Sequence, residues 1–64
     1  MLTGRVKVWN RGNGWGFIEG DDGEDYFLNA KNIRAGQTIS TGSKVKFDTE
    51  ESQRGPQAVN VSIY

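Results

Sequence analysis

Residues 4–29 read GRVKVWNRGNGWGFIEGDDGEDYFLN, and three short runs of alternating polarity inside that stretch decide the fold. Side chains two apart on a strand share a face. In the first run Val6 and Val8 face one way while Arg5, Lys7 and Trp9 face the other. RGNG then turns the chain, with Asn13-Gly14 as a favoured tight-turn pair. In WGFIEG, Gly16 and Ile18 share one face and Trp15, Phe17 and Glu19 the opposite one. A second turn follows at DDGED, centred on Asp22-Gly23. In DYFLN, Tyr26 and Leu28 point to one side, Asp25, Phe27 and Asn29 to the other. Three strands in a meander are the reading.

Working outward, residues 30–42 carry no strand pattern. AKNI suits one helical or 3₁₀ turn with Ile33 as a core anchor, and RAGQTISTG reads as loop. KVKFDTE (44–50) is a fourth strand with Val45 and Phe47 inward and Lys44, Lys46 and Asp48 outward. ESQRGP reads as a loop, and QAVNVSIY (57–64) as a fifth strand with Val59, Val61 and Ile63 inward. Five short strands joined by Gly-rich turns predict an all-β barrel or sandwich. Its core would be Val6, Val8, Ile18, Tyr26, Leu28, Ile33, Val45, Phe47, Val59, Val61 and Ile63. Each buried aliphatic side chain stabilises by about 1.5–3 kcal/mol, so this set suffices without further staples.

A chain of 64 residues with no cysteine and no histidine is read as one domain, residues 1–64, near the lower limit for independent folding. The usual zinc and transition-metal ligand sets are absent, and no cofactor is expected. Apolar runs are too short for a membrane span or a signal peptide, so a soluble cytoplasmic protein is the default. Eight basic and eight acidic residues cancel, but they are segregated. Arg5, Lys7 and Arg11 precede any acid, and Glu19, Asp21, Asp22, Glu24 and Asp25 then follow without a base. The acidic run lacks the spacing of a calcium loop and reads as a solvated turn. With no nucleophile motif and no room for a deep pocket, the chain is read as no enzyme.

The aliphatic core leaves Trp15, Phe17 and Phe27 on the outward class of positions, together with Lys7, Trp9 and Asn29. An exposed aromatic patch is a liability unless a partner covers it. Planar rings edged by cations and amides suit nucleic-acid bases, since base–aromatic stacking is worth about 1–3 kcal/mol per base. The glycines at 12, 14 and 16 would keep neighbouring side chains low. For a single ring, packing beneath a loop or across a dimer is the better explanation. For several on one face, beside Lys7 and Arg11, nucleic acid is.

The stretch 4–29 resembles the first three strands of the bacterial cold-shock domain family. NGWGFIEG is similar to that family's first ribonucleoprotein motif, DYFLNA stands at its second, and QRGPQAVNV is similar to its last loop and strand. The resemblance spans residues 2–63 and implies a five-stranded antiparallel Greek-key β-barrel of the OB type. It also implies binding of single-stranded RNA or DNA, pyrimidine-rich by preference, by a low-specificity RNA chaperone. Under it Trp15, Phe17 and Phe27 stack bases, Lys7 contacts phosphate or a base edge, and Asp25 offers an acceptor. Arg54 and Pro56 flank the end of the bound strand; Trp9 and Asn29 on the face, and Arg11 beside it, are added by the strand pattern and not by the resemblance. A monomer is the default and a strand-exchanged dimer is open.

The chain also departs from that family. Val8-Trp9 stands where Trp-Phe is usual, Asn13 replaces a lysine, and Asn29-Ala30 replaces histidine and phenylalanine. The loop before the fourth strand is shorter and lacks its aromatic. Losing two stacks removes about 2–6 kcal/mol of binding if none is replaced. The same losses suit an alternative, a degenerate barrel serving as a protein-interaction or self-association module.

Overall fold

A computed structural model describes residues 1–64. Its strands are β1 (Leu2–Asn10), β2 (Trp15–Gly20), β3 (Asp25–Asn29), β4 (Lys44–Ser52) and β5 (Gly55–Ile63), with one 3₁₀ turn at Ala30–Asn32. They close into a barrel in the order β1-β2-β3-β5-β4. β1–β3 form the expected meander, and β4 returns by a long connection to lie antiparallel beside β1, a Greek-key path. One seam is parallel: β3 meets β5 through Phe27 opposite Gln57 and Leu28 opposite Ala58. That one parallel seam closes the otherwise antiparallel Greek-key barrel.

Two irregularities in the strands decide which side chains enter the core. In β1, Val6 lies opposite Ile18 but Val8 lies opposite Phe17, so Lys7 is an extra residue in a bulge. A bulge shifts the alternation of everything beyond it. Val8 is therefore turned outward, at 45 % exposure, and Trp9 packs half-buried against the core. Both placements reverse the simple alternation. In β5 the register slips between the partners of Lys46 and Asp48, and Asn60 takes a left-handed conformation (φ 54°). Ala58 and Val61 consequently fill the interior, while Val59 is half-buried and Ile63 exposed. Val8, Val59 and Ile63 thus leave the expected core.

The interior that results centres on Phe47, Ile18, Leu28, Val6, Val45 and Val61, with Tyr26 beside Phe47. Ile33 packs against it from the end of the 3₁₀ turn and bridges to Val61. Ile39, in the segment read as plain loop, is buried and joins the same core. It plugs the barrel end beneath Trp9.

The β1–β2 loop is not the two-residue turn that Asn13-Gly14 suggests. Gly14 N–H donates to the Asn10 carbonyl at 2.8 Å, an α-turn, and Asn10 Oδ1 accepts the Asn13 N–H at 3.2 Å. β4 and β5 extend through most of ESQRGP. Ser52 Oγ donates to the Gly55 carbonyl at 2.7 Å and accepts the Arg54 N–H at 3.2 Å, leaving Gln53 and Arg54 as the connection.

Gly16 is buried and faces Trp9 across β1 and β2. A Cβ there would lie 2.1 Å from the Val8 carbonyl oxygen and 3.0 Å from the Trp9 ring. Its role is therefore to let β1 approach, not to clear space for a ligand backbone. Gly16→Ala is expected to lower the unfolding free energy by about 3 kcal/mol or more, a large share of what a small domain holds. Gly12→Ala, whose Cβ would meet only Asn10 Oδ1 at 3.7 Å, should stay within about 0.5 kcal/mol of the parent. Urea unfolding of both variants checks the contrast.

The β2–β3 loop is tied by Tyr26, whose hydroxyl donates to Asp22 Oδ2 at 2.5 Å, while Asp22 Oδ1 accepts the Glu24 N–H at 3.0 Å. The Tyr26 bond, then the Glu24 bond, hold the Asp22 carboxyl below its usual range. The same bond, then burial and the charges of Asp22 and Glu24, push Tyr26 up to about 12. The carboxylate's contribution is full above its ordinary pKa of 3.8 and fades as pH falls through the lowered folded value. The phenol's is full below 10.0 and is lost as pH rises through about 12. Tyr26→Phe should abolish the alkaline loss and shrink the acid one. Urea midpoints across pH, with tyrosinate absorbance for the parent, test this.

Candidate nucleic-acid interface

The site grows from the outward faces of β1, β2 and β3. Trp15 and Phe17 stand two apart on β2, and Phe27 lies directly opposite Phe17 on β3. The Trp15 and Phe17 centroids are 6.1 Å apart with planes at 83°, and those of Phe17 and Phe27 are 5.8 Å apart at 76°. Both are edge-to-face contacts, the geometry that ring quadrupoles favour. The three rings form a supported row, yet they are not equally open. Phe17 is exposed, Trp15 half-buried, and Phe27 only 8 % exposed.

Arg54 explains the covering of Phe27. The β4–β5 hairpin brings its guanidinium carbon to 4.7 Å from the Phe27 ring centroid, a cation–π contact. The surface offered at this end of the row is therefore a guanidinium placed over a ring. Pro56 is exposed just before Gln57, the β5 partner of Phe27.

The remaining sequence-derived residues fall into three groups. Lys7, projected from the bulge, places Nζ 3.2 Å from Asp25 Oδ2, with both side chains about half exposed. Such a surface pair is weak, so each group remains available to a ligand. Asn29 stands opposite Trp15, its Oδ1 accepting the Lys31 N–H at 3.0 Å and capping the 3₁₀ turn. Trp9 and Arg11 do not join the ring row. They border a separate hollow of about 330 Å³, with Ile33, Arg34 and Ile39, at the barrel end. The outward placement of Trp9 is corrected accordingly.

Two residues of this surface were missed by the sequence reading. Val8 joins the outer face opposite Phe17, and only the bulge puts it there. Lys31 borders a hollow with Phe27, Asn29 and Arg54, because the 3₁₀ turn folds it back toward β3. No group of three or more His, Cys, Asp or Glu side chains is placed to hold a metal ion, and no helix is long and apolar enough to cross a membrane.

Comparison with known proteins agrees with this architecture. The family model described as the 'Cold-shock' DNA-binding domain matches residues 2–64. Cold shock protein 1 of Lactiplantibacillus plantarum is 48 % identical over 63 residues, covering 95 % of this chain and 96 % of that protein. The major cold shock protein of Streptococcus pyogenes is 45 % identical over 64 residues, with 97 % and 96 % covered. Among solved structures, drosophila Unr CSD456 superposes with a TM-score of 0.81 over 98 % of this chain. This chain spans only 26 % of that one, at 15 % identity, so the likeness there concerns the fold alone. With its barrel, its aromatic row and a family match along nearly its whole length, the chain belongs to the cold-shock domain family.

Proposed function

We propose that the outward face of β1–β3 binds single-stranded RNA or DNA with little sequence specificity and that the protein acts as an RNA chaperone of the cold-shock type. The observation that carries this reading is the Trp15–Phe17–Phe27 row on one sheet face. Folding does not use Trp15 and Phe17 as core, and a ring face turned outward is matched by the π-face that every base possesses. Lys7, paired with Asp25 two residues before Phe27 on β3, and Arg54, over the Phe27 ring, supply the charge past which phosphates would run.

The mechanism needs no hydrolysis. Stacking holds bases only when they are unpaired, so binding draws weakly structured RNA toward its single-stranded state by mass action. Small pyrimidines suit a row whose neighbouring rings stand nearly perpendicular and whose third ring is already capped, so pyrimidine-rich strands are the preferred ligands. A single domain acting as a monomer in the cytoplasm is sufficient for this task. Asp25 holds Lys7 in the free protein and becomes a base-edge acceptor when a phosphate draws the lysine away.

A uridine- or thymidine-rich heptamer should bind with affinity on the order of micromolar or weaker, given the missing stackers. Binding should quench tryptophan fluorescence, and Trp15→Phe should remove most of that quench, because Trp9 lies on the other face of β1. Phe17→Ala should weaken binding by about 1–3 kcal/mol while leaving the circular dichroism unchanged. No fluorescence change and no chemical-shift change on β1–β3, even at low salt, would refute the reading.

A further inference from the structure

We infer that the hollow at the barrel end is a second binding site, one that takes a nucleoside phosphomonoester, with its base against Trp9 and its phosphate on Arg11 and Arg34. The distribution of charge singles this hollow out. All eight acids of the chain lie at 19–25 and 48–51. The hollow is bordered by Trp9 and Arg11 from one acid-free segment and by residues between 30 and 39 from another. No carboxylate reaches it, and neither arginine belongs to an ion pair. Arg34 also borders a second hollow with Asp48, but that carboxylate faces the Met1 amine at 3.9 Å and accepts from Asn60 Nδ2 at 3.2 Å. Two unpaired guanidiniums on one hollow call for an anion, and the fork of each matches phosphate oxygens.

The ring supplies the other half of the site. Trp9 is seated against Gly16 and packs on the core, yet it stays only half-buried, and it borders the hollow together with Ile33 and Ile39. A ring held in place by the fold costs a ligand little ordering, and its π-system suits a base. Gln37 adds polarity of one sign. Its Oε1 accepts the Ile63 N–H at 2.5 Å, so what its amide has left to give is a donor. A volume of about 330 Å³ is at the low end for a small-ligand site and holds one nucleotide. Inorganic phosphate would use the arginines and leave the ring idle, whereas a nucleoside would do the reverse. A nucleotide uses both.

Two sources carry this group: a free nucleotide, and the phosphorylated end of a single strand. The hollow adjoins the ring row, because Ala30 on its border follows Asn29, the β3 partner of Trp15. Only the second source rests on the nucleic-acid reading above. The first stands without it.

The test begins with Trp15→Phe, which leaves Trp9 as the one tryptophan, so its fluorescence reports on the hollow. AMP, adenosine and inorganic phosphate are titrated at low salt into this protein and into the same protein carrying Arg11→Gln or Arg34→Gln. Both arginines are exposed, and circular dichroism should show both variants folded. AMP should bind about 10-fold or more tighter than adenosine or phosphate, the scale of one charge-assisted hydrogen bond, and each substitution should remove most of that factor. A phosphomonoester gains its second charge near pH 6, so AMP binding should tighten from about pH 5 to about pH 7. The chain has no histidine, and no acid or tyrosine borders the hollow, so that change belongs to the ligand. The parent is then titrated with rU7 bearing a 5′ phosphate, a 3′ phosphate or neither. A gain from one phosphate, lost in Arg34→Gln, identifies a strand end as the source, and equal binding of all three with AMP still favoured identifies the free nucleotide. The inference is overturned if neither AMP over adenosine nor a phosphorylated strand over plain rU7 is favoured, or if the arginine substitutions leave such a preference intact. Equal losses for AMP and plain rU7 in Arg34→Gln would also sink it, since a diffuse basic surface would then suffice. Binding of plain rU7 to the parent decides the ring-row reading separately.

Discussion

The contact between Trp9 and Gly16 governs the arrangement of the whole sheet. β1 can press against β2 there because Gly16 has no Cβ, which would otherwise sit 2.1 Å from the Val8 carbonyl. That approach accompanies the bulge at Lys7, and the bulge sets the facing of everything after it. Trp9 turns in and closes the barrel end over Ile33 and Ile39, while Val8 turns out to stand beside Phe17. The interior and the candidate binding face are therefore two sides of one local irregularity. Straightening β1 would put Trp9 on the outer face and a valine in the core, leaving the barrel end unfilled.

The five strands and their order in the chain were legible because most of them alternate cleanly between short turn signals. β1, β2 and β3 fall on the residues that alternation indicates, and the family resemblance supplied the closure. What alternation does not carry is its own interruption. Lys7 is an ordinary residue at an ordinary strand position, and nothing in its chemistry marks it as the extra one. Asn60 is a fainter case: asparagine tolerates a left-handed conformation better than most residues, yet inside VNVSI it reads as an exposed polar position. Ile39 was invisible for another reason. A lone isoleucine among polar residues has no period, and only the path of the long connection brings it over the barrel.

The same distinction applies to the candidate site. Trp15, Phe17 and Phe27 could be grouped from the sequence because strand periodicity and two short turns place them on one face. Arg54 could be assigned to their neighbourhood only through the family resemblance, since the β3–β5 contact that brings it there joins residues far apart in the chain. Parallel pairing across a long connection has no local signature. The consequence for Phe27 was likewise hidden. Its facing was right, but its ring is covered by a side chain delivered through that seam.

The platform is thus graded along its length. Val8 on β1 and Phe17 on β2 are open, Phe17 stands between Trp15 and Phe27 with an edge-to-face contact to each, and at the β5 edge a guanidinium lies over Phe27. A flat run of equivalent rings would let a strand slide freely, since each stack resembles the next. Here Phe17 offers an open ring, and Phe27 a ring capped by a fixed charge. On the proposed reading a bound strand would exchange little enthalpy by shifting among the open rings, whereas shifting past Arg54 would give up a charged contact to phosphate. The asymmetry would give a nominally nonspecific surface a preferred register, and it follows from where a parallel seam delivers one arginine.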